Sequence, residues 1–187
     1  MNPVARLVVI IAGIAAMAGG IFQMTRGIQE IKGDPELKKL TEESNAAFRG
    51  ANKDLEEAGK LLQSVLQAID KDGLTNVRKQ KKADVEKVIT LYGQALDQIR
   101  SAAQKADEAA GRKPGEKWEA YLKATAEAYW GYAATREVSR EVARMVLDES
   151  VKTTDDMVRK LTEAKKLEEA AEAKMAHAQT LRADAEK

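Results

Sequence analysis

Few residues in this sequence have the side-chain chemistry that catalysis or metal binding requires. His177 is the single histidine, and the residue three positions before it is Lys174 rather than a carboxylate. The Glu-x-x-His pair that holds iron in helical bundles is therefore missing. The chain has no cysteine, which excludes disulfides, thiolate nucleophiles and cysteine-ligated metals. We therefore predict that the protein is not an enzyme and has no catalytic residue, cofactor or metal site.

The large side chains are concentrated in one short stretch. Five of the eight aromatic residues lie within residues 118–132, in the segment KWEAYLKATAEAYWGYAATREV. On a helix most of them share one face, which we interpret as filling a core opposite Phe48 and Tyr92, where the neighbouring residues are small. The alternative is a pocket for a small molecule lined by the aromatic cluster 118–132. The shared face carries Trp118, Tyr121, Tyr129 and Tyr132.

Trp130 does not lie on that face. It begins a second apolar stripe on the same predicted helix, so the helix is apolar on two sides. Tryptophan is enriched among residues that anchor protein interfaces. We therefore predict a partner or self-association surface, against the alternative that this helix touches two neighbours inside a bundle. The predicted surface consists of Trp130, Ala134, Val138, Val142 and Met145.

Composition indicates long helices with thin seams between them. The 187 residues are 44% hydrophobic and 33% charged, and much of the hydrophobic share is alanine. The net charge of +1 is too balanced for a protein that binds nucleic acid by neutralising phosphates, so no nucleic-acid partner is expected. Glutamates 168, 169 and 172 alternate with Lys165 and Lys166, a pattern typical of ion pairing on a helix surface.

A basic run, RKQKK at residues 78–82, interrupts this balanced pattern of charge. Its simplest interpretation is a solvated start of a helix. The alternative is a contact with anionic lipid or with an acidic partner.

The N-terminal residues predict a membrane helix. Residues 7–22, LVVIIAGIAAMAGGIF, carry no charge, and counting from Val4 the apolar segment reaches 19 residues. A spanning helix needs roughly 20 residues and at least about 17. We therefore expect residues 4–22 to contact membrane lipid as a single-pass anchor. Ala12, Ala16 and Gly20 have the spacing that lets two membrane helices approach closely.

A cleaved signal peptide is the alternative for the same residues. Ala16, Met17 and Ala18 form a small-x-small cleavage sequence, so residues 1–18 would be removed. The side of the membrane also stays open. More lysine and arginine residues follow the segment than precede it, which favours a cytoplasmic body. The short N-terminal tail and the cleavage sequence favour export, and we weakly prefer an extracytoplasmic body.

Beyond the anchor the chain predicts four helices of nearly equal length. Asp34 and Pro35 form a helix-start signal, and heptad-spaced small and apolar residues follow as far as Ile69. DKDG at 70–73 ends this helix, a second helix runs from about Thr75 to Ala110, and GRKPGEK at 111–117 is a loop. A third helix starts near Glu116, and we expect a break near ESVKTTDD before a fourth at 154–186.

These elements define an all-α fold of two parts. Residues 1–33 form the membrane anchor, or signal peptide, with a juxtamembrane segment. Residues 34–187 form a long-helix antiparallel bundle or a coiled-coil hairpin of about four helices. The predicted function is that of a non-catalytic membrane-anchored structural or interaction protein, an accessory subunit, tether or scaffold with a protein partner or with itself. The alternative is a helical small-molecule sensor or carrier that uses the aromatic cluster.

Overall fold

The structure is a computed structural model that describes residues 34–187. Within this range the chain is about 90% helical and contains no strand, which confirms the prediction of an all-α body. No helix in residues 34–187 is both long enough and apolar enough to cross a membrane. The proposed membrane helix at 4–22, with Ala12, Ala16 and Gly20, lies outside the described residues. The helices are α1 (Pro35–Asp72), α2 (Leu74–Gln80), α3 (Lys82–Gly111), α4 (Glu116–Leu147) and α5 (Asp155–Ala185).

Helix α1 begins and ends where its sequence signals predict. The Asp34 carboxylate accepts hydrogen bonds from the backbone N–H groups of Glu36 and Leu37, at 2.9 and 3.2 Å. This satisfies two of the amide groups that a helix start leaves unpaired. Gly73 ends the helix with a φ of 78°, a conformation that glycine adopts without strain. Every heptad position predicted for the seam is buried: Leu37, Thr41, Ser44, Phe48, Ala51, Leu55, Ala58, Leu62, Val65 and Ile69.

The second predicted helix is interrupted, and the expectation of one helix from about Thr75 to Ala110 was wrong in this respect. The backbone leaves helical geometry at Lys81, where φ is −115° and ψ is 15°, so that α2 and α3 are separate helices. Helix α2 buries Leu74 and Val77 in the core. Arg78 also donates hydrogen bonds to two carbonyl oxygens near the end of α4. Because of this interruption α2 is a separate short helix, and it is α2 that makes these contacts with the core and with the end of α4.

The four long helices run antiparallel to their chain neighbours, as ion pairs between them demonstrate. Between α1 and α3, Glu43 pairs with Lys105 while Glu57 pairs with Lys87, so the residue order is reversed across the interface. The α4–α5 interface shows the same reversal, because residue 141 pairs with 160 and residue 127 pairs with 174. The described residues therefore form an antiparallel helical bundle.

Packing follows the order of the chain. Helix α1 packs on α3, α3 packs on α4, and α4 packs on α5, while short α2 contacts α1, α3 and α4. The break predicted between the third and fourth helices is confirmed, since α4 ends at Leu147 and α5 begins at Asp155. Helix α5 begins without a side-chain cap, because the residue at its N-cap, Thr154, makes no side-chain cap bond.

The bundle has two distinct ends. At the entry end, where the chain arrives from residues 1–33, Arg112 in the α3–α4 loop lies 3.7 Å from Asp34 and the Lys117 ammonium group binds the Asp184 carbonyl oxygen. At the far end lie Gly73, helix α2 and the α4–α5 connection, residues 148–154. The 38 residues of α1 separate these ends by about 57 Å.

Candidate functional site

The aromatic residues of α4 stack on α1 inside the bundle. The rings of Phe48 and Tyr129 are stacked with centroids 4.2 Å apart, and Phe48 and Tyr132 lie 5.7 Å apart at a tilt of 45°. All three side chains are buried, and burial raises the pKa of the Tyr129 hydroxyl above its ordinary value. Ring-on-ring contact is the packing expected of a core. The alternative of a pocket within the aromatic cluster 118–132 stays a prediction.

Trp118 lies apart from that stack. It packs edge-on against Tyr121, with ring centroids 5.9 Å apart and an interplanar angle of 77°, near the start of α4. Its side chain is only partly buried at the edge of the core. Trp118 therefore lies on the core face as predicted, but at the entry end of the bundle rather than in its middle.

A buried ion pair between α4 and α5 was not expected from the sequence. The Arg136 guanidinium donates a hydrogen bond to the Glu168 carboxylate at 2.6 Å, and the two side chains are 2% and 0% exposed. The interpretation of Glu168 as a surface residue paired with neighbouring lysines was therefore wrong. Lys165 pairs with Glu169 instead, in solvent. The physical reason is that Glu168 faces α4, whereas Glu169 is turned away from it.

The ion pair lies within a group of polar side chains that we call the polar centre: Tyr92, Tyr132, Arg136, Glu168 and Glu172. Burial raises the pKa of the Tyr92 hydroxyl to about 12, and burial together with the nearby Glu168 and Glu172 carboxylates raises that of Tyr132. The pKa of Glu172 is also raised, chiefly by burial and then by Glu168. Each shift disfavours a further negative charge beside Glu168. The polar centre therefore holds a buried pair of opposite charges beside two neutral tyrosine hydroxyls, with the Glu172 carboxyl at its edge.

Several polar atoms of this centre have no protein partner in the described part of the chain. They are the Tyr132 hydroxyl, Arg136 Nε and Glu168 Oε2. Native proteins leave few such groups without hydrogen bonds, and each costs free energy. The ion pair therefore adds little to stability relative to apolar side chains of similar size. Only one register of α5 on α4 brings the two charges together, and we interpret the pair as fixing that register.

A close approach of the two backbones fixes the same register. A Cβ atom added at Gly131 would lie 2.9 Å from Ala171 Cβ, which is closer than side chains tolerate, and 3.4 Å from Ala171 Cα. Only glycine fits at this position without moving α5. This accounts for a glycine in the middle of a helix, where it costs about 1 kcal/mol relative to alanine.

A sequence signal for the polar centre exists, although it was missed. Glu168 occupies a seam position between two buried alanines, Ala164 and Ala171, at the spacing that the rest of α5 follows. Arg136 likewise follows Tyr129 and Tyr132 on the inward face of α4. A charged residue at a seam position is expensive to bury alone. Two such residues of opposite charge on helices predicted to be neighbours indicate a buried pair.

The predicted partner stripe on α4 is divided by the structure into exposed and buried parts. Trp130 is 39% exposed, and Ala134 one turn later is exposed as well. Val138 and Val142 are buried and Met145 is half-buried, with Val138 packed against Ala164 of α5. We call the exposed pair, Trp130 and Ala134, the Trp130 surface; the buried members of the stripe pack inside the bundle.

The Trp130 indole is held in place by a neighbouring helix. Its Nε1–H group donates a hydrogen bond to the Asp107 carboxylate of α3 at 3.0 Å. Trp130 is the exposed large hydrophobic side chain among the described residues. A bond to a second helix restricts the rotamers of the ring. The Trp130 surface therefore presents an aromatic ring whose orientation is largely fixed before any partner binds.

The aromatic stack, the polar centre and the Trp130 surface lie on adjoining turns of α4. On helix α4 the aromatic stack faces α1, the polar centre faces α5, and the Trp130 surface faces solvent. His177 is exposed on α5, and within residues 34–187 no group of three or more His, Cys, Asp or Glu side chains is arranged to hold a metal ion. Comparison of the chain with protein-family models, with curated proteins and with solved structures finds no match.

Proposed function

We propose that this chain is a membrane-anchored structural protein whose helical body docks a protein partner, or a second copy of itself, through the Trp130 surface. Residues 4–22 hold it in the membrane as a single-pass helix, and the body lies on the extracytoplasmic side. In an assembly it serves as an accessory subunit, tether or scaffold. The support for the anchor is the uncharged run of residues 7–22.

The observation that carries the docking proposal is the exposed, oriented indole of Trp130. Tryptophan, with tyrosine and arginine, is enriched among the residues whose truncation costs the most binding free energy at protein interfaces. Its hydrogen bond to Asp107 and its position on a long packed helix reduce the entropy lost on binding. Ala134 beside it is small enough to let another helix or loop approach the ring.

Site-specific photocrosslinking tests the docking surface in the full-length chain within its native membrane. A photoreactive residue at Ala134 should give a discrete adduct, and Trp130→Ala should abolish that adduct. The matched control is a photoreactive residue at Ala46, which is exposed on α1. Adducts of equal yield from both positions, or an Ala134 adduct that survives Trp130→Ala, would show that the Trp130 surface is not the docking site.

Alkaline extraction of membranes tests the anchor. The full-length chain should stay in the membrane pellet, and Ile14→Asp should release it, because a carboxylate at the centre of a spanning helix costs roughly 3 kcal/mol. The intact mass of the native protein distinguishes the signal peptide, since cleavage after Ala18 leaves Gly19 as the first residue. Protection of the body from added protease in intact cells, or its digestion, determines the side of the membrane.

A further inference from the structure

The far end of the bundle carries a positively charged cleft. It lies between α2, the start of α3 and the α4–α5 connection, with a volume of about 450 Å³. Four cationic side chains and one carboxylate line it, which gives a formal charge of +3. These charged residues, which we call the basic cleft, are Arg78, Lys79, Lys82, Lys152 and Glu149.

The positive charges of the basic cleft are only partly neutralised by the protein. Arg78 donates from Nε to the Val146 carbonyl oxygen at 2.7 Å and from Nη2 to the Val151 carbonyl oxygen at 2.5 Å, and both of these hydrogen-bond partners are neutral. Hydrogen bonds from Ser150 and the nearby charges of Arg78 and Lys152 lower the pKa of the Asp148 carboxyl, so this carboxylate offsets part of the positive charge. Lys152 likewise binds the backbone carbonyl of residue 149. Lys79 has no ion pair within the described residues, and Lys82 lies 3.7 Å from one exposed carboxylate, that of Glu86.

Arg78 gives this cleft a fixed centre that scattered surface lysines lack. Its two bonds tie α2 to the last turn of α4 and to the connection that follows, so the guanidinium is partly buried and cannot swing away. A planar guanidinium presents five N–H donors, and these two bonds use only two of them. The remaining donors are available to a ligand, with the exposed ammonium groups of Lys79 and Lys152 beside them.

We propose that the basic cleft is a binding site for a phosphate-bearing ligand. Guanidinium and ammonium groups together match the charge and the several acceptor oxygens of a phosphate group. The volume of the cleft suits a phosphate group with part of the molecule that carries it. The interruption of the second helix at Lys81 has a function in this arrangement, because it turns Arg78 and Lys79 toward the α4–α5 connection.

Two sources of phosphate share this chemistry: a soluble phosphate compound and the headgroup of an anionic lipid. The cleft lies about 57 Å from the entry end of the bundle. With the entry end of the bundle held toward the membrane, a lipid source is a second bilayer opposite the one that holds residues 4–22, and this arm of the proposal rests on the proposed anchor and on that orientation of the body. Binding of a soluble phosphate compound does not depend on it.

Isothermal titration of the full-length chain in neutral detergent with inorganic pyrophosphate tests the site. Saturable binding is expected, and it should weaken as salt rises from about 50 to about 200 mM. Lys79→Gln with Lys152→Gln should weaken it about fivefold for each lysine removed. The matched control is Lys53→Gln with Lys166→Gln, which removes two exposed lysines elsewhere and should leave the affinity within twofold.

A vesicle assay distinguishes the two sources. The chain is reconstituted into neutral phosphatidylcholine vesicles and mixed with vesicles that contain phosphatidic acid. If these vesicles are captured by the chain and by the control variant, but not by the double variant at Lys79 and Lys152, the ligand is a lipid headgroup. Pyrophosphate binding without capture assigns a soluble ligand.

The proposal is overturned if pyrophosphate and vesicles both fail to bind, or if the two double variants weaken binding equally. A chain that is not retained in the neutral vesicles shows instead that the proposed anchor is wrong. In that case the pyrophosphate titration still decides whether the basic cleft binds phosphate.

Discussion

Replacement of Glu168 by glutamine should destabilise the protein far more than its conservative chemistry suggests. The amide keeps the size of the carboxylate but removes its charge, so that Arg136 is left buried and unpaired at 2% exposure. Breaking a buried pair by removing one partner costs about 3–5 kcal/mol. Domains of this size have a free energy of unfolding of about 5–15 kcal/mol, so the variant should lose a large fraction of it.

Replacement of both partners should have a much smaller effect. Arg136→Met with Glu168→Leu removes both charges together with the unpaired Arg136 Nε and Glu168 Oε2 atoms. Exchange of a buried ion pair for apolar residues of similar volume is often neutral or stabilising. We therefore expect the double variant to be at least 2 kcal/mol more stable than Glu168→Gln.

Urea unfolding followed by circular dichroism measures these differences on the full-length chain in neutral detergent. The control is Glu169→Gln, next to Glu168 but exposed and 3.7 Å from Lys165, which should change the free energy of unfolding by less than about 1 kcal/mol. Equal effects of Glu168→Gln and Glu169→Gln would refute the buried pair. A double variant as unstable as the single one would show that the pair stabilises the fold and does more than set its register.

Three further outcomes follow from the packing. Gly131→Ala should destabilise the bundle by about 1–3 kcal/mol, because the new methyl group overlaps α5, whereas Gly111→Ala, with open space around it, should not; urea unfolding compares them. Trp118→Ala, at the edge of the core, should cost about 2–3 kcal/mol and Trp130→Ala less than about 1 kcal/mol in the same assay, and the reverse order would contradict the burial of these rings. The raised pKa of Glu172 means that the folded state binds a proton more readily than the unfolded chain, so this group favours folding at low pH and loses that contribution as pH rises through its folded pKa. Glu172→Gln should therefore stabilise the protein at neutral pH. Unfolding curves measured across the pH range should show this gain vanish below pH 4.5.

The seams of the bundle could be predicted from the sequence because they depend on local spacing. Between residues 37 and 69, small and apolar side chains recur every three or four residues, and all of those assigned to the seam are buried. The loops at Gly73 and at 112–115 were equally local, since glycine and proline break helices by their own backbone preferences. The start of α1 at Asp34 belongs to the same class, because a cap bonds only to residues two and three positions away.

The polar centre and the helix interruption could not be predicted from local spacing, because both depend on contacts between distant residues. Arg136 and Glu168 are 32 residues apart, and their pairing requires the register of α5 on α4. Arg78 reaches carbonyl groups 68 and 73 residues away, and only the folded bundle brings them within its range. Nothing at Lys81 itself, neither glycine nor proline, marks the end of a helix.

The packing of each long helix on its neighbours in the chain has a consequence for how the protein folds as it is synthesised. The α1–α3 interface needs only residues up to 111, and it can form before α4 has been made. Each later helix then docks on a neighbour that is already made, although Phe48 of α1 lacks its contacts with Tyr129 and Tyr132 until α4 follows. Helix α5 docks last, and because Glu168 lies on it, Arg136 has no carboxylate partner until the final helix arrives.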